Sequence, residues 1–138
     1  MRPRILFVDD HDDTRDFISF GLDSLGYEVV VTDCTAGGVR LAREGRFDLY
    51  LLDSKFREGS GAELCKAIRE FDPTTPVIFF TGEHPSLLKD ILACPVQGVV
   101  MKPDFEELKE KIISNLRPAT QAMTRQDGAA LSTPRPEP

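Results

Sequence analysis

Four short apolar runs in this 138-residue chain each end on residues able to do polar chemistry. Asp9 and Asp10 close Ile5-Leu6-Phe7-Val8, and Asp53 closes the run from Phe47 through Leu52. Thr81 closes Val77-Ile78-Phe79-Phe80, and Lys102 closes Val99-Val100-Met101. Three carboxylates, a hydroxyl and an ammonium suit a divalent cation held beside a phosphoryl group, provided one scaffold brings them together. Short apolar runs separated by helix-like stretches read as that scaffold, a set of parallel strands buried on both faces. In open sheets of this kind ligands bind outside the carboxyl ends of the strands, where the strand order reverses.

The elements that must position these groups can be followed along the chain. Residues 4–9 read as a first strand, and Asp12 or Asp13 as the cap of a helix carrying Phe17, Ile18, Gly21, Leu22 and Leu25 and stopped by Gly26. Glu28 to Thr32 is the second strand. Thr35 is the expected cap of a second helix with Val39, Leu41 and Ala42, ending at Gly45 and weakened by Gly37 and Gly38. The third strand runs from Phe47 to Asp53, and a glycine-containing loop from Ser54 to Gly61 follows. Leu64, Ala67, Ile68 and Phe71 mark a third helix, and Asp72-Pro73-Thr74-Thr75-Pro76 a turn. After the fourth strand, Val77 to Thr81, a short helix begins at Pro85, carries Leu87, Leu88, Ile91 and Leu92, and ends at Cys94-Pro95. Val99 to Met101 forms the fifth strand. Asp104 with Glu107 resembles a capping box opening a last helix with Phe105, Leu108, Ile112 and Leu116.

Alternating strands and helices, five of each, predict an α/β doubly wound parallel sheet. The length suits one domain over residues 1–117. From Pro118 to Pro138 the chain holds four prolines and almost no apolar periodicity, so a disordered tail or linker remnant is expected. A hydrophobic content of 41%, 29% charged residues, a formal net charge of -6 and a pI near 4.9 describe an ordinary globular protein. They argue against nucleic-acid binding, which needs a basic face. No apolar stretch reaches membrane-spanning length and the N-terminus lacks a signal-peptide pattern, so a cytoplasmic protein is expected. Cys34, Cys65 and Cys94 lack metal-ligand spacing and read as reduced thiols. His11 and His84 read as surface residues.

The order Asp9-Asp10, Asp53, Thr81, Lys102-Pro103, each at the end of its strand, closely resembles the receiver domain of two-component response regulators. Gly61, eight positions beyond Asp53, matches the glycine usual there. The resemblance covers residues 4–117 and implies the flavodoxin-like strand order 2-1-3-4-5. It implies that Asp53 accepts a phosphoryl group from a histidine kinase or histidine phosphotransfer protein in a Mg2+-dependent reaction. Asp10 and Asp53 would ligate the metal directly, Asp9 mainly through water, and the Lys55 backbone carbonyl would supply a further ligand. Lys102 and Thr81 would neutralise phosphoryl oxygens, with Gly82 leaving room for the backbone and the Lys102-Pro103 bond cis. Lys55 and Glu83 would overhang the acceptor and tune the phosphoryl lifetime.

Three departures from the family pattern stand out. Val99 replaces the usual switch aromatic, Arg57 the usual proline, and Lys55 a residue that is commonly neutral or acidic. Without the aromatic, output is expected to pass through the loop after Thr81 and the short fourth helix. The alternatives are a receiver cut from a larger regulator or hybrid kinase, a phosphorylation-independent scaffold, or an aspartyl-phosphate phosphatase. The phosphatase would need an Asp where Lys55 stands. A flavin-binding relative would need a neutral loop where Asp10-His11-Asp12-Asp13 stands.

Overall fold

Alternation of side chains across each central strand fills two separate cores, one on either face of the sheet. In the computed structural model, which describes residues 2–84 and 88–116, the strands are β1 (Arg4–Val8), β2 (Glu28–Thr32), β3 (Leu49–Leu52), β4 (Lys55–Phe56), β5 (Gly59–Ser60), β6 (Val77–Thr81) and β7 (Gly98–Met101). The helices are α1 (Asp12–Ser24), α2 (Thr35–Glu44), α3 (Gly61–Arg69), α4 (Lys89–Leu92) and α5 (Phe105–Asn115). Five strands form an all-parallel sheet in the order β2-β1-β3-β6-β7, the expected 2-1-3-4-5 arrangement of main strands. Ile5, Phe7, Leu49, Leu51, Ile78, Phe80 and Val100 face α1 and α5, packing on Ile18, Leu22, Leu108 and Ile112. Leu6, Val8, Tyr50, Leu52, Val77 and Phe79 face the other way, onto Ala42, Leu64, Cys65, Ile68 and Ile91.

Several local expectations are corrected. Asp12 and Asp13 do not cap α1; they lie in its first turn, where carboxylates complement the helix dipole, and His11 is the N-cap. Cys34, not Thr35, caps α2, its thiol accepting from the Gly37 N–H at 3.4 Å. The loop after Asp53 contains the two-residue antiparallel pair β4–β5, which delivers Ser60 as N-cap of α3 in a full capping box with Glu63. Phe17 is 64% exposed instead of buried. Gly21 has no side chain, so the Phe105 ring lies against α1 there, and Phe17 packs edge-on to that ring from outside, 6.0 Å between centroids. Leu25, 40% exposed, caps the end of α1, and Gly26 beyond it adopts φ +97. Pro85, Leu87 and the whole segment from 117 to 138 lie outside the described residues. Asp104 caps α5 as expected, accepting from the Glu107 N–H at 2.9 Å.

At the amino end of the sheet the turn from 72 to 76 is closed by side chains. The Tyr50 hydroxyl donates to Asp72 Oδ2 at 2.7 Å, and Asp72 Oδ1 accepts from the Thr74 and Thr75 N–H groups. Arg69 donates to the carbonyls of Asp72, Thr75 and Pro95, while Gln97 accepts from the Val77 N–H at 2.6 Å. The start of β6 is thereby pinned, which sets where its other end, Thr81, emerges.

Gly61 fixes the approach of α3 to the end of β3. Its N–H donates to the Ser54 carbonyl at 2.8 Å, and a Cβ on it would stand 2.1 Å from the Asp53 carbonyl oxygen and 2.6 Å from the Phe79 ring. The Gly61→Ala variant should lose about 1–3 kcal/mol of stability, the usual cost of overpacking, visible as a lower urea midpoint. An unchanged midpoint would mean that the β4–β5 turn yields freely.

Candidate functional site

Register brings the strand-end residues together. Val8 pairs with Leu52, so Asp9 and Asp53 leave adjacent strands side by side, with the Asp53 N–H donating to the Val8 carbonyl at 3.0 Å. Thr81 pairs with Met101, and the Lys102 N–H donates to the Thr81 carbonyl at 2.7 Å. The Lys102-Pro103 peptide bond is cis, as expected. Asp10, Asp53, Thr81, Gly82 and Lys102 line one open cleft with His11, Ser54, Lys55, Arg57 and Glu83.

Charge in this cleft is unevenly balanced. Asp9 is fully buried and Asp53 is 4% exposed, while the Lys102 ammonium lies 2.8 Å from Asp9 Oδ2 and 3.3 Å from Asp53 Oδ2. The Ser54 N–H donates to Asp53 Oδ1 at 2.7 Å. Burial lifts the Asp53 carboxyl above the ordinary carboxylate range; the Lys102 ammonium opposes the rise and the Asp9 charge adds to it. Asp10 Oδ1 is buried with no hydrogen-bond partner. One ligand atom from each of Asp9, Asp10, His11 and Asp53 falls within 4.8 Å of the others. An orphaned, buried carboxylate oxygen beside two more carboxylates fits a small, hard cation that takes oxygen ligands.

Two residues in the cleft escape the sequence reading. His11 is exposed, as expected of a surface residue, yet its Nδ1 stands 3.1 Å from Asp9 Oδ1 and 3.2 Å from Asp10 Oδ1. Its N–H also donates to Asp9 Oδ1 at 2.9 Å. Its place directly after the acidic pair, at the strand-to-helix turn, is the signal that marks it. Ser54 is 5% exposed, with its hydroxyl 2.5 Å from Thr81 Oγ1 and 2.8 Å from Glu83 Oε1. A hydroxyl immediately after the strand-end Asp53 is its signal. At the rim, Lys55 Nζ pairs with Glu83 Oε2 at 3.5 Å.

Comparison with known proteins places this arrangement. Residues 5–113 match the response regulator receiver domain. The response regulator receiver protein CpdR of Brucella abortus is 35% identical over 102 residues, which are 74% of this chain and 85% of that protein. Response regulator ArlR of Staphylococcus saprophyticus is 32% identical over 116 residues, and sensor histidine kinase AruS of Pseudomonas aeruginosa is 31% identical over 114. Those two matches take in 83% and 78% of this chain, but only 52% of ArlR and 11% of AruS.

Among solved structures, chemotaxis response regulator CheY4 of Vibrio cholerae superposes with a TM-score of 0.78 at 28% identity, covering 84% of this chain and all of that one. The response regulator TrrA of Thermotoga maritima, solved in complex with Mg(2+)-BeF, gives 0.76 at 28% identity over 83% of this chain and 99% of its own. The chain belongs to the response regulator receiver family, whose members are phosphoacceptor signalling domains working with histidine kinases in two-component systems. Among the described residues no helix is long and apolar enough to cross a membrane.

The raised Asp53 carboxyl carries a stability consequence. A carboxyl whose folded pKa exceeds its unfolded value adds stability that is fully present below the unfolded value, ~3.9, and lost as pH rises through the folded one. Free of divalent cations, Asp53→Asn should therefore melt higher than the wild type at neutral pH, with the gap closing as the pH falls toward about 4. A gap that widens on acidification in thermal melts would contradict this cause.

Proposed function

We propose that Asp53 accepts a phosphoryl group from a histidine kinase or a histidine phosphotransfer protein, and that the chain then signals through protein–protein contacts. The observation that carries this reading is the Lys102 ammonium bridging the buried Asp9 and Asp53 carboxylates at the switch point of the sheet. Attack by an Asp53 oxygen on phosphorus forms the acyl phosphate as the donor's P–N bond breaks. The transferring group needs little covalent help beyond alignment and neutralisation of its equatorial oxygens. Lys102 can follow the charge from the Asp53 carboxylate to one phosphoryl oxygen without leaving Asp9. Thr81 can donate its hydroxyl proton to another, and Gly82 leaves open space beside the acceptor.

Mg2+ fits the same cleft. Asp10 and Asp53 are the proposed direct ligands, with Asp9 acting through water and the Lys55 carbonyl completing the protein's share. The orphaned Asp10 oxygen and the Mg(2+)-BeF complex of TrrA support this assignment. When bound, Mg2+ supplies positive charge against the crowded carboxylates and the incoming phosphoryl oxygens. His11 adds a nitrogen at the mouth of the cluster.

Output is proposed to run from Thr81 through the following loop to α4. Val99, half-buried against the core on the α3 and α4 side, is too short and branched to swing between buried and exposed states. The four-residue α4 is the most economical element to shift.

Incubation with acetyl phosphate and Mg2+ should add one phosphoryl group by intact-mass measurement, and either EDTA or Asp53→Asn should abolish it. Labelling of Asp53→Asn at the wild-type level would move the acceptor elsewhere. The rim pair joins an exposed Lys55 to a partly buried Glu83 and is worth below about 1 kcal/mol by itself, so Lys55→Ala should fold normally. Glu83→Ala, which also removes the acceptor of the Ser54 hydroxyl, should lose slightly more stability, and each variant should change the dephosphorylation rate several-fold. Identical decay curves for wild type and both variants would remove these residues from lifetime control.

A further inference from the structure

We infer that Ser54 is a positioning residue: it holds the hydroxyl proton of Thr81 and thereby sets how readily the domain responds to a phosphoryl group, an inference that rests on the phosphoacceptor reading of Asp53. The Ser54 hydroxyl lies 2.8 Å from Glu83 Oε1 and 2.5 Å from Thr81 Oγ1, and the Glu83 N–H donates to Thr81 Oγ1 at 3.0 Å. A carboxylate oxygen only accepts, and a hydroxyl has one proton to give. Ser54 therefore donates to Glu83. The short contact between the two hydroxyls must then be made with the Thr81 proton.

The result is a closed ring: Glu83 N–H to Thr81, Thr81 to Ser54, and Ser54 back to the Glu83 carboxylate. Thr81 is fully buried and Ser54 is 5% exposed, so water offers little substitute for either partner. Backbone geometry secures the ring to the acceptor itself, because the Ser54 N–H donates to Asp53 Oδ1 at 2.7 Å. A phosphoryl oxygen on Asp53 can receive the Thr81 proton only when Thr81 lets go of Ser54. That exchange leaves the Ser54–Glu83 bond in place, so the resting state is held by one hydrogen bond. An apolar side chain at position 54 would offer Thr81 no such acceptor.

The test is a double-mutant cycle on the full chain, with beryllofluoride as the probe, saturating Mg2+ and affinity read by calorimetry. Ser54→Ala should bind beryllofluoride about threefold to tenfold more tightly than wild type, the worth of one net hydrogen bond. The same substitution in a Thr81→Ala background should change nothing, since no proton remains to be held. Ser54→Thr, which keeps the hydroxyl, should return the wild-type affinity. Ser54→Cys, a weak acceptor of similar size, should shift in the direction of Ala and serves in its place if Ala does not fold. Equal or weaker binding by Ser54→Ala, or an equal shift with and without Thr81, overturns the role of Ser54. Acetyl phosphate labelling run in parallel separates the two readings: wild type that never labels overturns Asp53 as acceptor, whereas normal labelling with no coupling overturns Ser54 alone.

Discussion

A single ammonium holds the carboxyl edge of this sheet together. Lys102 sits between two carboxylates that the fold has taken out of water, 2.8 Å from one and 3.3 Å from the other. Moving carboxylates from water into protein is costly unless they are paired. One cation cannot balance Asp9, Asp10 and Asp53, and the shortfall appears in two places. Asp53 is pushed toward its protonated form, and one buried oxygen of Asp10 goes without a hydrogen bond, with the His11 ring nitrogen 3.2 Å away. The cleft is thus built short of positive charge, the condition in which a divalent cation binds and a phosphoryl group can then be tolerated.

The two ends of the sheet are held by different forces. At the amino end, Tyr50, Asp72, Arg69 and Gln97 form a network in which hydroxyl, guanidinium and backbone donors meet carboxylate and carbonyl acceptors, with only the buried Arg69 Nε left without a partner in it. Burial of Tyr50 and its bond to Asp72 push the phenol well above its ordinary range, so that hydroxyl stays a donor. The two apolar faces lock the strands between these ends. Rearrangement is therefore cheapest at the carboxyl edge, where hydrogen bonds can be exchanged without uncovering the core.

The strands and the chemistry at their ends were legible because both follow from one constraint: a buried parallel strand must be apolar until it reaches solvent. Asp9, Asp53, Thr81 and Lys102 mark those exits, and pairing in register made them neighbours. Helix starts were less legible. Acidic residues serve both as caps and as first-turn residues, so Asp12 and Asp13 could be read either way, and a thiol such as Cys34 is a weak acceptor that composition does not suggest. The exposure of Phe17 depends on Gly21 and Phe105, which are far apart in sequence, so local periodicity carries no trace of it. Ser54 and His11 were missed for the same reason. Each takes its meaning from a partner on another element, Thr81 with Glu83 in one case and the acidic cluster in the other.

The two lysines of the cleft experience the surrounding electrolyte differently. Lys102 has a side chain 18% exposed and faces carboxylates that are almost wholly covered, whereas the Lys55 side chain is 74% exposed and reaches a partly covered Glu83 at 3.5 Å from the solvent side. Mobile ions screen exposed charges over a Debye length of about 8 Å at physiological strength and reach covered pairs far less. Dissolved salt therefore acts on the rim and leaves the floor alone. The ionic composition of the medium becomes a second control on the domain, able to loosen the cover over the acceptor without disturbing the charge arrangement beneath it.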